Sequence, residues 1–141
     1  LALGSAMNKV YKYALKIREG HLDTFGHVNN AVYLQILEEA RWDILNQNGY
    51  GMDYIRKSKL GPTILEVNLQ FKRELRNLEK IEILSQLLAY EGKVATFEQV
   101  IVNEKNEVAC RAVFKFGLFD VVQRKLVDPT PEWALAIGQN P

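Results

Sequence analysis

The chain has 141 residues, 48% hydrophobic and 25% charged, which supports one domain with its own core and argues against intrinsic disorder. Lys and Arg number 18 against 17 Asp and Glu, for a formal charge of +1, so nothing global attracts nucleic acid or an anionic membrane. The single cysteine, Cys110, excludes an intramolecular disulfide framework and suits a reducing cytoplasm, the expected location; no apolar run approaches the roughly 20 residues of a membrane span.

Residues 1–6 read as an expression remnant before a native Met7, with one domain over 7–128 and a peripheral tail over 129–141. Tyr11, Tyr13, Leu15 and Ile17 alternate along a first strand. A polar loop, His21 to Asn30, follows. Asn29 or Asn30 is a natural N-cap, because a short side-chain oxygen accepts from a free N–H of the first turn. From Ala31 nothing breaks a helix until Gly49, and its apolar residues spread beyond one face, so it should be largely buried. Met52 to Lys59 reads as a short second helix, and Gly61-Pro62 as a break.

The period then changes to two. Leu65, Val67, Leu69 and Phe71 alternate with Glu66, Asn68, Gln70 and Lys72, which predicts a strand with one buried and one polar face. Leu78 to Tyr90 forms the next strand, with Ile81, Ile83, Leu87 and Ala89 on one face. Val94 to Asn103 follows after a short turn, with Ala95, Phe97, Gln99 and Ile101 opposite Val94, Thr96, Val100 and Val102. Val108, Cys110, Ala112, Phe114, Phe116 and Leu118 make the inner face of a last long strand, and Arg111 and Lys115 its outer face. Strands joined by short turns pair antiparallel. The economical arrangement is α+β: one curved antiparallel sheet of about five strands wrapped around one long central helix.

The chemistry concentrates in the His21–Asn30 loop. An aspartate such as Asp23 in a turn commonly just binds nearby backbone. Beside a helix start, whose unpaired N–H groups carry partial positive charge, it also suits hydrolysis of a polarised carbonyl. His21 and His27 are the only histidines, and their spacing with Asp23 does not match the common zinc motifs. Glu38 and Glu39 are available for pairing with Arg41 along the helix. Lys72, Arg73, Arg76 and Lys80 form a basic cluster diluted by Glu74 and Glu79, which reads either as solvated surface or as a phosphate contact. There is no G-x-S-x-G, P-loop or G-x-G-x-x-G.

The run Asp23-x-x-Gly26-His27-Val28-Asn29-Asn30-x-x-Tyr33-Leu34, with Glu38-Glu39-Ala40-Arg41-Trp42 on the same helix, resembles the hotdog-fold thioesterases of the 4-hydroxybenzoyl-CoA thioesterase family, and within it the bacterial long-chain acyl-CoA type. The resemblance implies hydrolysis of an acyl-CoA thioester with no metal or other cofactor. It places Asp23 at the catalytic acid position, as nucleophile or as general base. It implies an oxyanion donor at the N–H of Asn30; His27 either orients the loop or lines the substrate entrance, and Gly26 allows close approach or a positive φ. His21 departs from the acid that many members carry there. Tyr33, Lys72, Arg73 and Arg76 are the candidates for substrate contact, with Val67, Leu69 and Trp42 as acyl-contacting surface. A homodimer or homotetramer is implied, with the active site at the subunit interface. The rival readings are a non-catalytic acyl-thioester-binding module, a thioesterase acting on aromatic acyl-CoA or on acyl-carrier protein, and a hotdog dehydratase. The last is poorly matched, because His27 lies so close in sequence to Asp23.

Overall fold

The computed structural model describes residues 8–141; the expected remnant at 1–6 lies outside them. Six strands form one antiparallel sheet: β1 (Val10–Lys16), β2 (Leu60–Phe71), β3 (Lys80–Glu91), β4 (Val94–Val102), β5 (Val108–Asp120) and β6 (Lys125–Val127), with spatial order β1-β3-β4-β5-β2 and β6 beside β5. Helix α1 (Asn30–Gln47) packs on the inner face; the shorter α2 (Met52–Ser58) and α3 (Pro131–Ala136) flank the sheet. The curved sheet around one long helix is the hotdog arrangement that the motif implies, with β6 as a strand beyond the expected five.

α1 begins where its sequence provides a cap. Asn29 is extended, and its side-chain oxygen accepts from the Ala31 N–H at 2.9 Å. The helix ends at Asn48 and Gly49, the latter at φ 76°, a left-handed conformation that glycine adopts without steric cost. Tyr33, Ile36, Leu37, Ala40, Ile44 and Leu45 are buried. They meet the inner face of the sheet, where Ile81, Ile83, Phe97, Ile101, Cys110, Ala112, Phe114 and Phe116 belong to one core cluster.

Four expectations need correction. Pro62 sits inside β2, opposite Leu118, rather than in a break. β2 is an edge strand of the sheet, as β1 is at the other end, and an edge is where a residue without an N–H is tolerated. The predicted buried face of β2 is only partly covered: Val67 and Phe71 register against Phe114 and Cys110 of the inner face, yet remain 37% and 53% exposed. α1 runs closest to β1 and β3 and covers β2 only in part, with Tyr33 against Phe71. Bulges move two side chains. A register shift between Leu87 and Ala89 brings Tyr90, not Ala89, into line with buried Ala95, and another between Ile101 and Val102 puts Val108 in an outer cluster with Leu84, Val100 and Val102. Each adds one residue and so inverts the alternation beyond it.

The fourth concerns the tail. Residues 129–141 are not peripheral. Thr130 caps α3, its hydroxyl accepting from the Trp133 N–H at 3.2 Å. Trp133, Ala136 and Ile137 are buried, and Trp133 packs edge-on against Tyr50 and Phe116. Two prolines signalled loose chain; the second is in fact the first residue of a helix, where a missing N–H costs nothing.

Candidate active site

The loop before α1 is a small hairpin. Leu22 and Val28 form an isolated bridge, and the Asp23 N–H donates to the His27 carbonyl at 2.9 Å. The Gly26 N–H returns to the Asp23 carbonyl at 3.2 Å, with Gly26 at φ 87°, which a side chain would strain. Asp23 Oδ1 accepts from the Phe25 N–H at 2.9 Å. This is the turn chemistry expected of an aspartate, and it fixes the carboxylate. A 3-10 turn at Glu19–His21 precedes the hairpin, and His21 Nδ1 accepts from the Arg18 N–H at 2.9 Å, which gives that histidine a structural task.

The hairpin is anchored to the segment after β2. The Val28 N–H donates to the Leu75 carbonyl at 2.9 Å, and His27 bridges to Arg76 through backbone. His27 Nε2 lies 3.5 Å from Glu74 Oε1. One open cleft of about 410 Å³ results, lined by Asp23, His27, Asn30, Tyr33, Lys72 and Arg73, together with Val28, Phe71 and Glu74. Asn30 is the first residue of α1, so its N–H has no intrahelical acceptor. The cleft therefore joins a carboxylate, the positive end of a helix and cationic side chains, a combination able to hold and polarise an acyl thioester.

The remaining predicted residues divide. Gly26 shapes the loop without lining the cleft. Arg76 is engaged with Glu74 at 2.9 Å, and Arg73 with Glu107 at 3.1 Å. Among the described residues Lys72 has no carboxylate at ion-pair distance. Tyr33 is buried with its ring 5.0 Å from that of Phe71, and burial pushes its phenol up to about 12, so it is a neutral wall at physiological pH. Glu39 accepts from the Tyr13 hydroxyl at 2.5 Å. Arg41 does not form the expected ion pair with Glu38; it donates to Gln99 at 2.9 Å and stacks 4.3 Å from the Phe114 ring centre. Sequence reasoning missed Phe71 and Glu74 as cleft residues and Phe25, 81% exposed, at the loop tip. Phe71 looked like buried strand and Glu74 like a diluting surface charge; only the docking of the hairpin onto the Leu75 segment brings them in.

Residues 17–137 match the family model described as "Thioesterase-like superfamily". The chain belongs to that superfamily. It is 34% identical over 112 residues to the long-chain acyl-CoA thioesterase FadM of Escherichia coli (strain K12), covering 79% of this chain and 84% of that protein. Among solved structures, the probable thioesterase YbaW from Escherichia coli superposes with a TM-score of 0.80 at 30% identity, over 91% of this chain and 96% of that one. A putative oleoyl thioesterase from Lactobacillus plantarum has the same fold, with a TM-score of 0.88 at 17% identity; the chain spans about half of its length (52%) and 94% of its own. As a member of this superfamily the chain is a thioester hydrolase.

Proposed function

We propose that this protein hydrolyses medium- to long-chain fatty acyl-CoA to the free acid and coenzyme A. The observation that carries the reading is that Asp23 and the first residue of α1, Asn30, line one cleft. FadM, whose name records a long-chain acyl-CoA activity, supports the substrate class. In this reading the thioester oxygen points at the Asn30 N–H, which stabilises negative charge as it grows on that oxygen. Asp23 supplies the attack by one of two routes. As general base it takes a proton from water, whose oxygen bonds to the acyl carbon while the C–S bond breaks and the proton passes to the thiolate. As nucleophile its carboxylate oxygen bonds to the acyl carbon while the C–S bond breaks and coenzyme A leaves as the thiolate; water then opens the acyl-aspartyl anhydride to the free acid and the Asp23 carboxylate, and the released proton passes to the thiolate. His27, beside Glu74, orients the loop. Lys72 is the cation best placed for a coenzyme A phosphate, since Arg73 and Arg76 are engaged elsewhere.

Assembly belongs to the same proposal. β2 is a twelve-residue edge strand with exposed Ile64, Leu65, Val67 and Phe71, and a long apolar edge is a template for pairing with a second copy. The account is therefore a homodimer joined along β2, with the cleft bordered by the partner. Thiol release from a panel of hexanoyl-, palmitoyl- and benzoyl-CoA tests the substrate class. Preference for palmitoyl-CoA supports it. Preference for benzoyl-CoA replaces the fatty acyl group with an aromatic one, and binding of every ester without turnover gives a non-catalytic module.

A further inference from the structure

The cleft at Asp23 has a far end. Asn30, Leu34, Glu38, Arg41 and Leu45 recur at three- and four-residue spacing and so share one stripe of α1. Opposite them, Phe71, Val67 and Ile64 of β2 register against Cys110, Phe114 and Phe116, all buried on the inner face. Phe71 and Asn30 line the Asp23 cleft. Arg41, Leu45 and Ile64 line a second cavity of about 120 Å³, together with Trp42, Phe116 and Trp133. The two hollows thus lie between the same helix and the same strand. Exposed Leu34 and Val67 stand between them. The helix rises about 16 Å from Asn30 to Arg41, at 1.5 Å per residue.

The second cavity is mostly apolar and stiff, with Glu38 and Arg41 the charged residues of its lining. Trp133 is 1% exposed, its ring centre 5.2 Å from that of Tyr50 and 6.0 Å from that of Phe116, and its indole N–H donates to the Tyr90 hydroxyl at 3.1 Å. Its polar atom is thereby satisfied away from the cavity. Arg41 is held by Gln99 and the Phe114 ring. A polymethylene chain suits such a lining, because it removes apolar surface from water on both sides.

We propose that the cavity receives the distal methylenes and methyl end of the acyl chain, and that Trp133 on α3 is the specificity-determining residue that limits chain length. This rests on the thioesterase reading above. The chain's two tryptophans, Trp42 and Trp133, both line the cavity, so intrinsic fluorescence reports its occupancy independently of turnover. The experiment measures kcat/KM for hexanoyl-, decanoyl-, myristoyl- and stearoyl-CoA with the wild type, Ile64→Trp and Trp133→Leu, alongside fluorescence titrations with the matching free fatty acids. Ile64→Trp fills the cavity from β2 and, with assembly checked by sedimentation because β2 is the proposed dimer edge, should lower the stearoyl-to-hexanoyl ratio of kcat/KM about tenfold or more, the scale that a few methylenes command in an apolar pocket. Trp133→Leu should move the optimum to a longer ester; if it fails to fold, Ile64→Trp carries the test. Myristate should change wild-type fluorescence saturably, and hexanoate should not. Turnover with an unchanged chain-length profile in Ile64→Trp, and no fluorescence response to any acid, overturns the proposal. If no ester is turned over but myristate still binds and Ile64→Trp blocks it, the acyl cavity stands and the thioesterase reading fails.

Discussion

At the scale of single residues, the site depends on two conformations that local chemistry imposes. Gly26 sits at φ 87°, where a side chain costs about 1–2 kcal/mol. Gly26→Ala should lower stability by that amount in urea unfolding and reduce turnover, since it shifts the loop that carries Asp23. Asn29 holds the first turn of α1 through its bond to the Ala31 N–H. Loss of such a cap costs about 1 kcal/mol, so Asn29→Ala should lower the urea midpoint and blunt the donor at Asn30 together. Asn29→Asp, which keeps the accepting oxygen, should restore the midpoint. Cys110 is fully buried, and burial pushes its thiol up to about 12. It should not react with a thiol reagent at neutral pH until the protein unfolds, a result read directly by titrating the native and the urea-treated chain.

At the scale of elements, the periodicities that were long and regular translated directly into structure. β4 and the body of β5 show the faces that their alternation predicts, whereas α1 buries one face and is not largely buried as its composition suggested, with Ala31 and Leu34 exposed. Single-residue events escaped, because a pattern carries no mark of where an extra residue enters. The shift beside Ala89 turned Tyr90 inward, and with it came the hydroxyl that fixes Trp133. The tail was misread because prolines punctuate both loops and helix starts; the hydrophobic Trp133-Ala134-Leu135-Ala136-Ile137 run after Pro131 was the available signal. Trp133→Ala should cost about 3–5 kcal/mol, as for other large buried aromatics, and a small change in the denaturation midpoint would return the tail to the periphery. The Asp23 loop was legible as a motif, but its floor was not. Phe71 and Glu74 enter the cleft only through the backbone bond from Val28 to Leu75, a contact between segments far apart in sequence.

At the scale of the whole molecule, burial sets the alkaline limit of stability. Tyr33 and Tyr50 are both pushed up to about 12, chiefly by burial. The folded chain keeps protons that the unfolded chain releases near the ordinary value of 10.0. Their contribution is complete below that value and declines as pH rises towards about 12. Arg41, lowered to about 10 by burial, acts in the opposite sense over the same window and offsets part of the loss. Thermal unfolding followed across this range should show the melting temperature falling, with the share of tyrosinate absorbance that belongs to Tyr33 and Tyr50 appearing at unfolding rather than before it. Assembly belongs to this scale as well: sedimentation should give a multiple of the chain mass if the β2 edge pairs with a second copy as proposed. The central claim is the chemical role of Asp23, and it is tested most directly by thiol release from palmitoyl-CoA with the wild type and Asp23→Asn, both checked for fold and assembly. Turnover by the wild type that falls about a hundredfold or more in the variant, the scale of a lost acid–base group, is the predicted result; equal turnover by a folded Asp23→Asn would contradict it.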